Sequence, residues 1–204
     1  MVEIPKDKEK NILEVSIKEF AKNSYSNAST NIIAKESGIS KGSLFNYFGS
    51  KLNLYLYVVD KVIKKYEEAM MLQLENLSDD MFERVYETQM IKLKLLYELP
   101  EETKIISDFF LSDIPEIKQN FDKYYNYYEK MGYGKLTEGI DYSKFKEGID
   151  VDTAYNTLLY ISFGYIEMLQ RKYKNNGMNL LRDIEYISED LRKSINLVKI
   201  AVYK

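Results

Sequence analysis

Apolar side chains recur every third or fourth residue along almost all of this 204-residue chain, as they do on one side of an α-helix. The early run Leu13, Ile17 and Phe20 shows the spacing, and no stretch of useful length alternates apolar and polar residues as a half-buried strand does. Three prolines and nine glycines interrupt the pattern. The sequence therefore predicts an all-α fold of about nine helices.

The residue types that are missing exclude several kinds of site. The chain has neither cysteine nor histidine, which excludes disulfides, thiolate or imidazole metal ligands and the Ser-His-Asp triad. The acidic pairs at Asp79–Asp80 and Glu101–Glu102 stand at helix starts, where carboxylates favour the helix dipole. We therefore predict no metal, no cofactor and no enzymatic activity.

The first residues show no pattern that predicts a targeting signal. The first ten residues, MVEIPKDKEK, lack the apolar core of a signal peptide. No later window approaches the ~20 apolar residues that cross a bilayer. These observations predict a cytoplasmic protein without a membrane partner.

Charge is distributed unevenly along the chain. The net charge is −3, yet residues 22–51 contain four lysines and one glutamate. Residues 52–204 contain 21 basic and 26 acidic side chains. Positive charge, which favours a nucleic-acid partner, is thus concentrated in the early segment.

That segment contains STNIIAKESGISKGSLFNYFGSK, residues 29–51, in which two short helical patterns meet at Gly38. Thr30 is predicted to cap the first helix, and Gly38 to supply the positive φ of a turn. This is the spacing of a helix-turn-helix. The apolar anchors would be Ile33, Ala34, Ile39, Leu44 and Phe48.

The second short helix has a polar side with no core to enter: Ser40, Lys41, Ser43, Asn46 and Tyr47. Such side chains can form hydrogen bonds with base edges in a major groove. The unpaired backbone N–H groups at the helix N-termini, at Thr30 and Ser40, favour the binding of phosphate. A helical hairpin that covers the bundle with a solvated face explains the same pattern. The spacing alone leaves both interpretations open.

Residues 10–60 resemble the N-terminal domain of TetR-family transcriptional regulators. The resemblance is carried by ILEVSIKEFAKNSYSNASTNIIAKESGISKGSLFNYFGSKLNLYLYVV, above all by SKGSLFNYFGSK, and covers about a quarter of the chain. The remainder agrees with the family in length, helix content and two long terminal helices. The resemblance implies a three-helix DNA-binding domain at 1–50 and a helical bundle at 51–204 that binds an effector and dimerises.

The resemblance also implies the roles of particular residues. Lys41, Gly42, Ser43 and Asn46 fall in the recognition helix, and Thr30, Tyr47 and Lys51 fall where the family touches phosphate. Phe45 departs from the family's usual tyrosine, so it either packs or contacts a thymine methyl. The predicted DNA-binding residues are Thr30, Ser40, Lys41, Gly42, Ser43, Phe45, Asn46, Tyr47 and Lys51.

One such module buries only ~600–1,000 Å² on DNA, which is seldom enough for specific binding. We therefore expect a two-fold dimer that reads two half-sites. The predicted interface consists of Ala154, Leu158, Ile161, Tyr165, Ile184, Ile187, Leu191 and Ile195. The alternative is that these stripes pack inside one chain. A second apolar edge, at Leu159, Phe163 and Ile166, favours the dimer.

Aromatic and methionine side chains are frequent in the middle of the chain, and they suit a pocket for an apolar or flat ligand. The predicted pocket residues are Tyr86, Met90, Phe109, Phe110, Tyr124, Tyr128, Tyr160, Tyr165 and Met168. A tyrosine-rich hydrophobic core is the alternative. The effector itself is implied mainly by the family resemblance.

Together these features predict a ligand-responsive DNA-binding transcriptional regulator. It would bind a palindromic operator as a homodimeric repressor and be released by a small apolar or aromatic effector. The alternative is a helical small-molecule-binding or interaction protein whose helix-turn-helix no longer binds DNA.

Overall fold

The computed structural model describes residues 4–74, 77–121, 124, 134, 136–174 and 183–204. Within these residues the chain forms nine α-helices, and β pairing is confined to one isolated bridge between Phe145 and Tyr203. The helices are α1 Lys6–Asn27, α2 Thr30–Glu36, α3 Lys41–Phe48, α4 Lys51–Met71, α5 Met81–Glu98, α6 Pro100–Phe110, α7 Pro115–Lys118, α8 Val151–Lys174 and α9 Ile184–Val202. The all-α prediction is confirmed.

The residues group into two compact units. The first comprises Met1–Met71 and Glu98–Tyr127, and the second comprises Leu72–Tyr97 and Tyr128–Lys204. Helices α4 and α6 therefore belong to the same unit as α1, α2 and α3. The predicted domain boundary at residue 50 does not coincide with the limits of these units. It stays a prediction about which part of the chain binds DNA and which part binds an effector and dimerises.

The first unit is built on α1, α4 and α6, which pack against one another. Tyr55 of α4 is buried, and its ring centroid lies 5.0 Å from that of Phe20 in α1. The other large buried side chains of these three helices include Ile12, Leu54, Val58, Val59, Val62, Ile63, Ile105 and Phe109. Their burial stabilises the three helices that support α2 and α3.

The second unit places α5, α8 and α9 around one hydrophobic core. Side-chain caps begin two of these helices: Asp80 Oδ1 accepts from the Phe82 backbone N–H at 2.9 Å, and Asp150 Oδ1 accepts from that of Asp152 at 3.1 Å. Such caps satisfy backbone donors that have no partner within the helix. The core includes Phe82, Val85, Leu93, Leu158, Leu169, Ile187, Leu191 and Ile195.

This core corrects the predicted dimer interface. Six of its eight residues are buried inside the second unit, where α8 packs against α9: Ala154, Leu158, Tyr165, Ile187, Leu191 and Ile195. Ile161 and Ile184 are half-buried. Internal packing, the alternative left open by the sequence, therefore accounts for the main stripe, because a side chain buried in its own chain is withheld from a second copy.

Candidate nucleic-acid interface

The cap of helix α2 lies one residue before the predicted cap, Thr30. The cap is Ser29, whose Oγ accepts from the Ile32 backbone N–H at 3.4 Å, and Thr30 is the first helical residue. The Ser29 backbone N–H donates to Glu19 Oε1 at 2.7 Å. Because Glu19 lies on α1 and is buried, this bond ties the start of α2 to the first helix.

The turn between α2 and α3 has the geometry that the sequence predicts. Gly38 has a φ of +71°, a conformation in which a side chain is strained. The Ile39 N–H donates to the Ala34 carbonyl at 3.0 Å and thus closes the turn. Ser40 then caps α3, since its Oγ accepts from the Ser43 backbone N–H at 3.0 Å.

The apolar side of the helix-turn-helix is held inside the first unit. Ile33 and Ala34 of α2 and Leu44 and Phe48 of α3 are all buried, as predicted. The Phe48 ring centroid lies 5.2 Å from that of Tyr57 in α4. The buried positions of α3 therefore fix the direction in which its other side points.

The opposite side of α3 is open. Gly42 and Asn46 are exposed, as are Ser40 and Lys41 at the start of the helix. The remaining predicted contacts, Ser43, Phe45 and Tyr47, are half-buried. Phe45 lies 5.9 Å from the Lys41 ammonium, measured to its ring centroid. The structure thus brings these residues together on one short helix whose side chains are available to a partner.

Lys51, a predicted phosphate contact, has an internal role in the structure. Its Nζ donates to the Ser26 carbonyl at 3.0 Å and lies 5.1 Å from the Tyr25 ring centroid. Burial lowers the pKa of this ammonium. Lys51 therefore links the start of α4 to the end of α1, and its contact with phosphate stays a prediction.

The end of α1 is also fastened to helices that follow much later in the sequence. Ser24 has a φ of 55° and a ψ of 171°, and its Oγ donates to Asp108 Oδ2 of α6 at 2.7 Å. The Tyr25 hydroxyl donates to Glu116 Oε1 of α7 at 2.7 Å. Burial, and then this carboxylate, raise the pKa of Tyr25 to about 12.

Sequence reasoning missed these polar supports. The Ser24–Asp108 and Tyr25–Glu116 bonds join residues 84 and 91 positions apart. A local pattern carries no signal for such a pair, because each residue alone is an ordinary surface side chain. A serine near the end of a helix likewise gives no sign of a positive φ, which serine rarely adopts.

The predicted pocket residues are distributed over both units. Phe109, Phe110 and Tyr124 belong to the first, and Tyr124 donates a hydrogen bond to Asp60. Tyr86, Met90, Tyr160, Tyr165 and Met168 belong to the second unit, and Tyr128 lies outside the described residues.

Two of the predicted pocket positions need correction. Tyr160 and Met168 are exposed on the outer side of α8, so they line no interior among the described residues of the second unit. The other described positions stay predictions.

The described part of the chain lacks two further kinds of site. It contains no group of three or more acidic side chains that could hold a metal ion. No helix in that part is both long enough and apolar enough to cross a membrane.

Residues 12–58, which comprise most of α1, all of α2 and α3 and the first part of α4, match the family model described as bacterial regulatory proteins, tetR family. This N-terminal segment is therefore similar to that of TetR-family regulators. A curated relative, the uncharacterized HTH-type transcriptional regulator YuxN of Bacillus subtilis, is 42% identical over 64 residues. That match covers 29% of this chain and only 22% of the relative.

Solved structures of transcriptional regulators share the fold over nearly the whole chain. A transcriptional regulator from Chloroflexus aurantiacus is 20% identical, with a TM-score of 0.69, and the match covers 98% of this chain and 95% of the other. FadR of Bacillus subtilis, in complex with stearoyl-CoA, is 21% identical, with a TM-score of 0.66 and coverage of 93% and 97%. Ketosteroid regulator KstR2 of Mycobacterium tuberculosis is 17% identical, with a TM-score of 0.60 and coverage of 99% and 97%.

We predict opposite effects for two glycine substitutions in this segment. Gly38→Ala should lower the free energy of unfolding by about 1 kcal/mol, because alanine is strained at positive φ. Among the described residues, no heavy atom would contact a Cβ at Gly38, so backbone strain is the cause under test. Urea unfolding followed by circular dichroism measures the change.

Gly42→Ala is the matched control within α3. A Cβ at this position would meet Ser40 Oγ at 3.8 Å, an ordinary contact. Alanine should therefore raise stability by up to about 1 kcal/mol through its higher helix propensity. Equal effects of the two substitutions would contradict the conformation assigned to the turn.

The bond between Ser24 and Asp108 should be visible in a double-mutant cycle. Ser24→Ala and Asp108→Ala should show a coupling energy of about 1–2 kcal/mol, since a half-buried hydroxyl donates to a carboxylate. Ser26→Ala, an exposed serine of the same helix, should show no coupling with Asp108→Ala. A coupling energy near zero for Ser24 would refute the link between α1 and α6.

Proposed function

We propose that this chain is a DNA-binding transcriptional regulator whose α3 reads the major groove. The observation that carries the proposal is the division of α3 into a buried side, Leu44 and Phe48, and an open side that includes Gly42 and Asn46. An amide such as Asn46 has the donor and acceptor that pair with adenine, and Lys41 has a donor for guanine or phosphate.

Charge and helix ends support the same partner. Residues 22–51 are the basic part of an acidic chain, so attraction to DNA would be confined to this side of the first unit. Backbone N–H groups at the starts of α2 and α3 favour phosphate. Contacts of Thr30, Tyr47 and Lys51 with the phosphate backbone belong to this proposal.

The active form we propose is a dimer on a palindromic operator. The outer sides of α8 and α9 carry exposed large apolar side chains at Tyr160, Phe163, Met168, Tyr186, Leu197 and Ile200. A cluster of exposed apolar groups on two long helices suits burial against a second copy in a four-helix arrangement. The interface thus uses the side opposite the stripe that the sequence first suggested.

We further propose that a small-molecule effector releases the protein from DNA, which makes it a repressor. Helix α6 packs against both α1 and α4, and its Glu102 Oε1 accepts from Lys65 Nζ of α4 at 2.5 Å. A shift of α6 would therefore act on the two helices that support α2 and α3. Structural neighbours crystallised with stearoyl-CoA or named for ketosteroids support an effector with an apolar body.

Substitutions on the open side of α3 should weaken DNA binding without unfolding the chain. Asn46→Ala and Lys41→Met should each lower affinity for the selected duplex at least about fivefold, because base contacts contribute ~1–3 kcal/mol each. The duplex is selected from a random pool by the unaltered protein, and affinity is measured by fluorescence anisotropy. Lys41→Met should also reduce the salt dependence.

Lys64→Met is the charge-matched control, since Lys64 is exposed on α4 and lies outside the helix-turn-helix. It should change affinity less than about threefold. If the control and the α3 variants behave alike, α3 is not the reading element. Failure of the unaltered protein to retain any duplex would favour the alternative of a helical binding protein without DNA affinity.

The dimer proposal predicts a difference between two exposed leucines. Leu197→Glu on α9 should convert the dimer to a monomer in sedimentation equilibrium, because a carboxylate would be buried against the partner copy. Leu111→Glu is the control, since Leu111 has a similar exposure, 77% against 73%, but belongs to the first unit. A dimer that survives Leu197→Glu would place the interface elsewhere.

A further inference from the structure

The core of the second unit contains two polar side chains without partners. Gln89 of α5 is 1% exposed, and neither its amide nitrogen nor its amide oxygen has a hydrogen-bond partner among the described residues. Ser162 of α8 is fully buried, and its Oγ is likewise unpartnered there. Each such group destabilises the folded chain when it is buried without a hydrogen bond.

A lysine lies beside these two residues. Lys92 follows Gln89 by three positions, so both side chains leave α5 on the same side. The Lys92 Nζ lies 5.5 Å from the ring centroid of Phe163, the residue directly after Ser162. Lys92 and Phe163 are therefore neighbours where α5 lies beside α8, with Gln89 one turn before Lys92 and Ser162 next to Phe163 in the chain. We call Gln89, Lys92 and Ser162 the polar trio.

The charge of the polar trio is not neutralised within the described part of the chain. Lys92 is half-buried. Among the described residues, no carboxylate lies within ion-pair distance of its ammonium. Burial lowers the pKa of its ammonium, as expected where no anion compensates for lost hydration. The apolar core to which α5 and α8 contribute includes Leu93 and Leu158, with Met90, Leu159 and Ile166 packed against it.

We propose that the polar trio binds the carboxylate of an effector whose apolar body lies among these apolar side chains. The Lys92 ammonium, the Ser162 hydroxyl and the Gln89 amide N–H donate to the two carboxylate oxygens, and a second ammonium N–H donates to the Gln89 carbonyl. This arrangement satisfies every polar atom of the trio. It rests on the proposed function, since it assigns a chemical class to the effector named there.

An uncharged polar ligand fits this site less well, because it leaves the ammonium unpaired in an apolar setting. A carboxylate of a second protein copy is also a poorer occupant. It could approach Lys92 past Phe163, which is 57% exposed, but the fully buried Ser162 and Gln89 would still lack partners. The anion must therefore enter the second unit, as a small ligand does.

The test compares two probes of equal chain length, laurate and 1-dodecanol, by isothermal titration calorimetry on the full chain without DNA. Laurate should bind the unaltered protein at least about tenfold more tightly than dodecanol, since a charge-assisted hydrogen bond contributes ~1.5–3 kcal/mol. Lys92→Met should remove that difference. Ser162→Ala should lower laurate affinity by about fivefold. Circular dichroism confirms that each variant is folded.

Lys94→Met is the matched control, because Lys94 is an exposed lysine of the same helix. It should leave both affinities unchanged. Several results would overturn the site: no binding of laurate, equal affinity for both probes, undiminished laurate affinity in Lys92→Met, or loss of the dimer in that variant with laurate affinity retained.

Duplex binding without laurate separates this proposal from the proposed function. A chain that binds its selected duplex but shows no preference for laurate overturns the polar trio alone. A chain that binds laurate through Lys92 but retains no duplex overturns the proposed function and leaves the carboxylate site standing.

Discussion

Burial of four side chains, Ile33, Ala34, Leu44 and Phe48, is the interaction on which the interface depends. Helices α2 and α3 have seven and eight residues, well below the ~12–15 at which an isolated helix becomes even marginally stable in water. Tertiary packing therefore holds them in place. Each large apolar side chain contributes ~1.5–3 kcal/mol when fully buried. The same packing leaves the polar side of α3 outside.

Polar contacts add the orientation that apolar packing alone does not define. Glu19 holds the start of α2, and Lys51 holds the end of α1 against the start of α4. Ser24 and Tyr25 are bound by carboxylates of α6 and α7. Every one of these bonds lies near the junction of α1 and α2. A change in α6 would therefore reach the helix-turn-helix through a small number of directional contacts.

Local patterns explain which parts could be predicted. The turn at Gly38, the cap at Ser40 and the anchors at Leu44 and Phe48 lie within a few residues of one another, so the sequence displays them directly. On α8 and α9, helical spacing showed that Leu158 and Leu191 would be buried but not against what. Their partner proved to be the same chain. Gln89 gave no signal at all, because a glutamine in sequence reads as surface.

The most direct test follows the backbone amide resonances of the ¹⁵N-labelled protein while a selected duplex is added. We expect the largest shifts, and protection from hydrogen exchange, at residues 40–47 and at Thr30. Helix α5, which is in the second unit, should serve as an unperturbed reference. Formation of a specific complex in which the amides of α3 neither shift nor gain protection would contradict the central claim that α3 faces the bases.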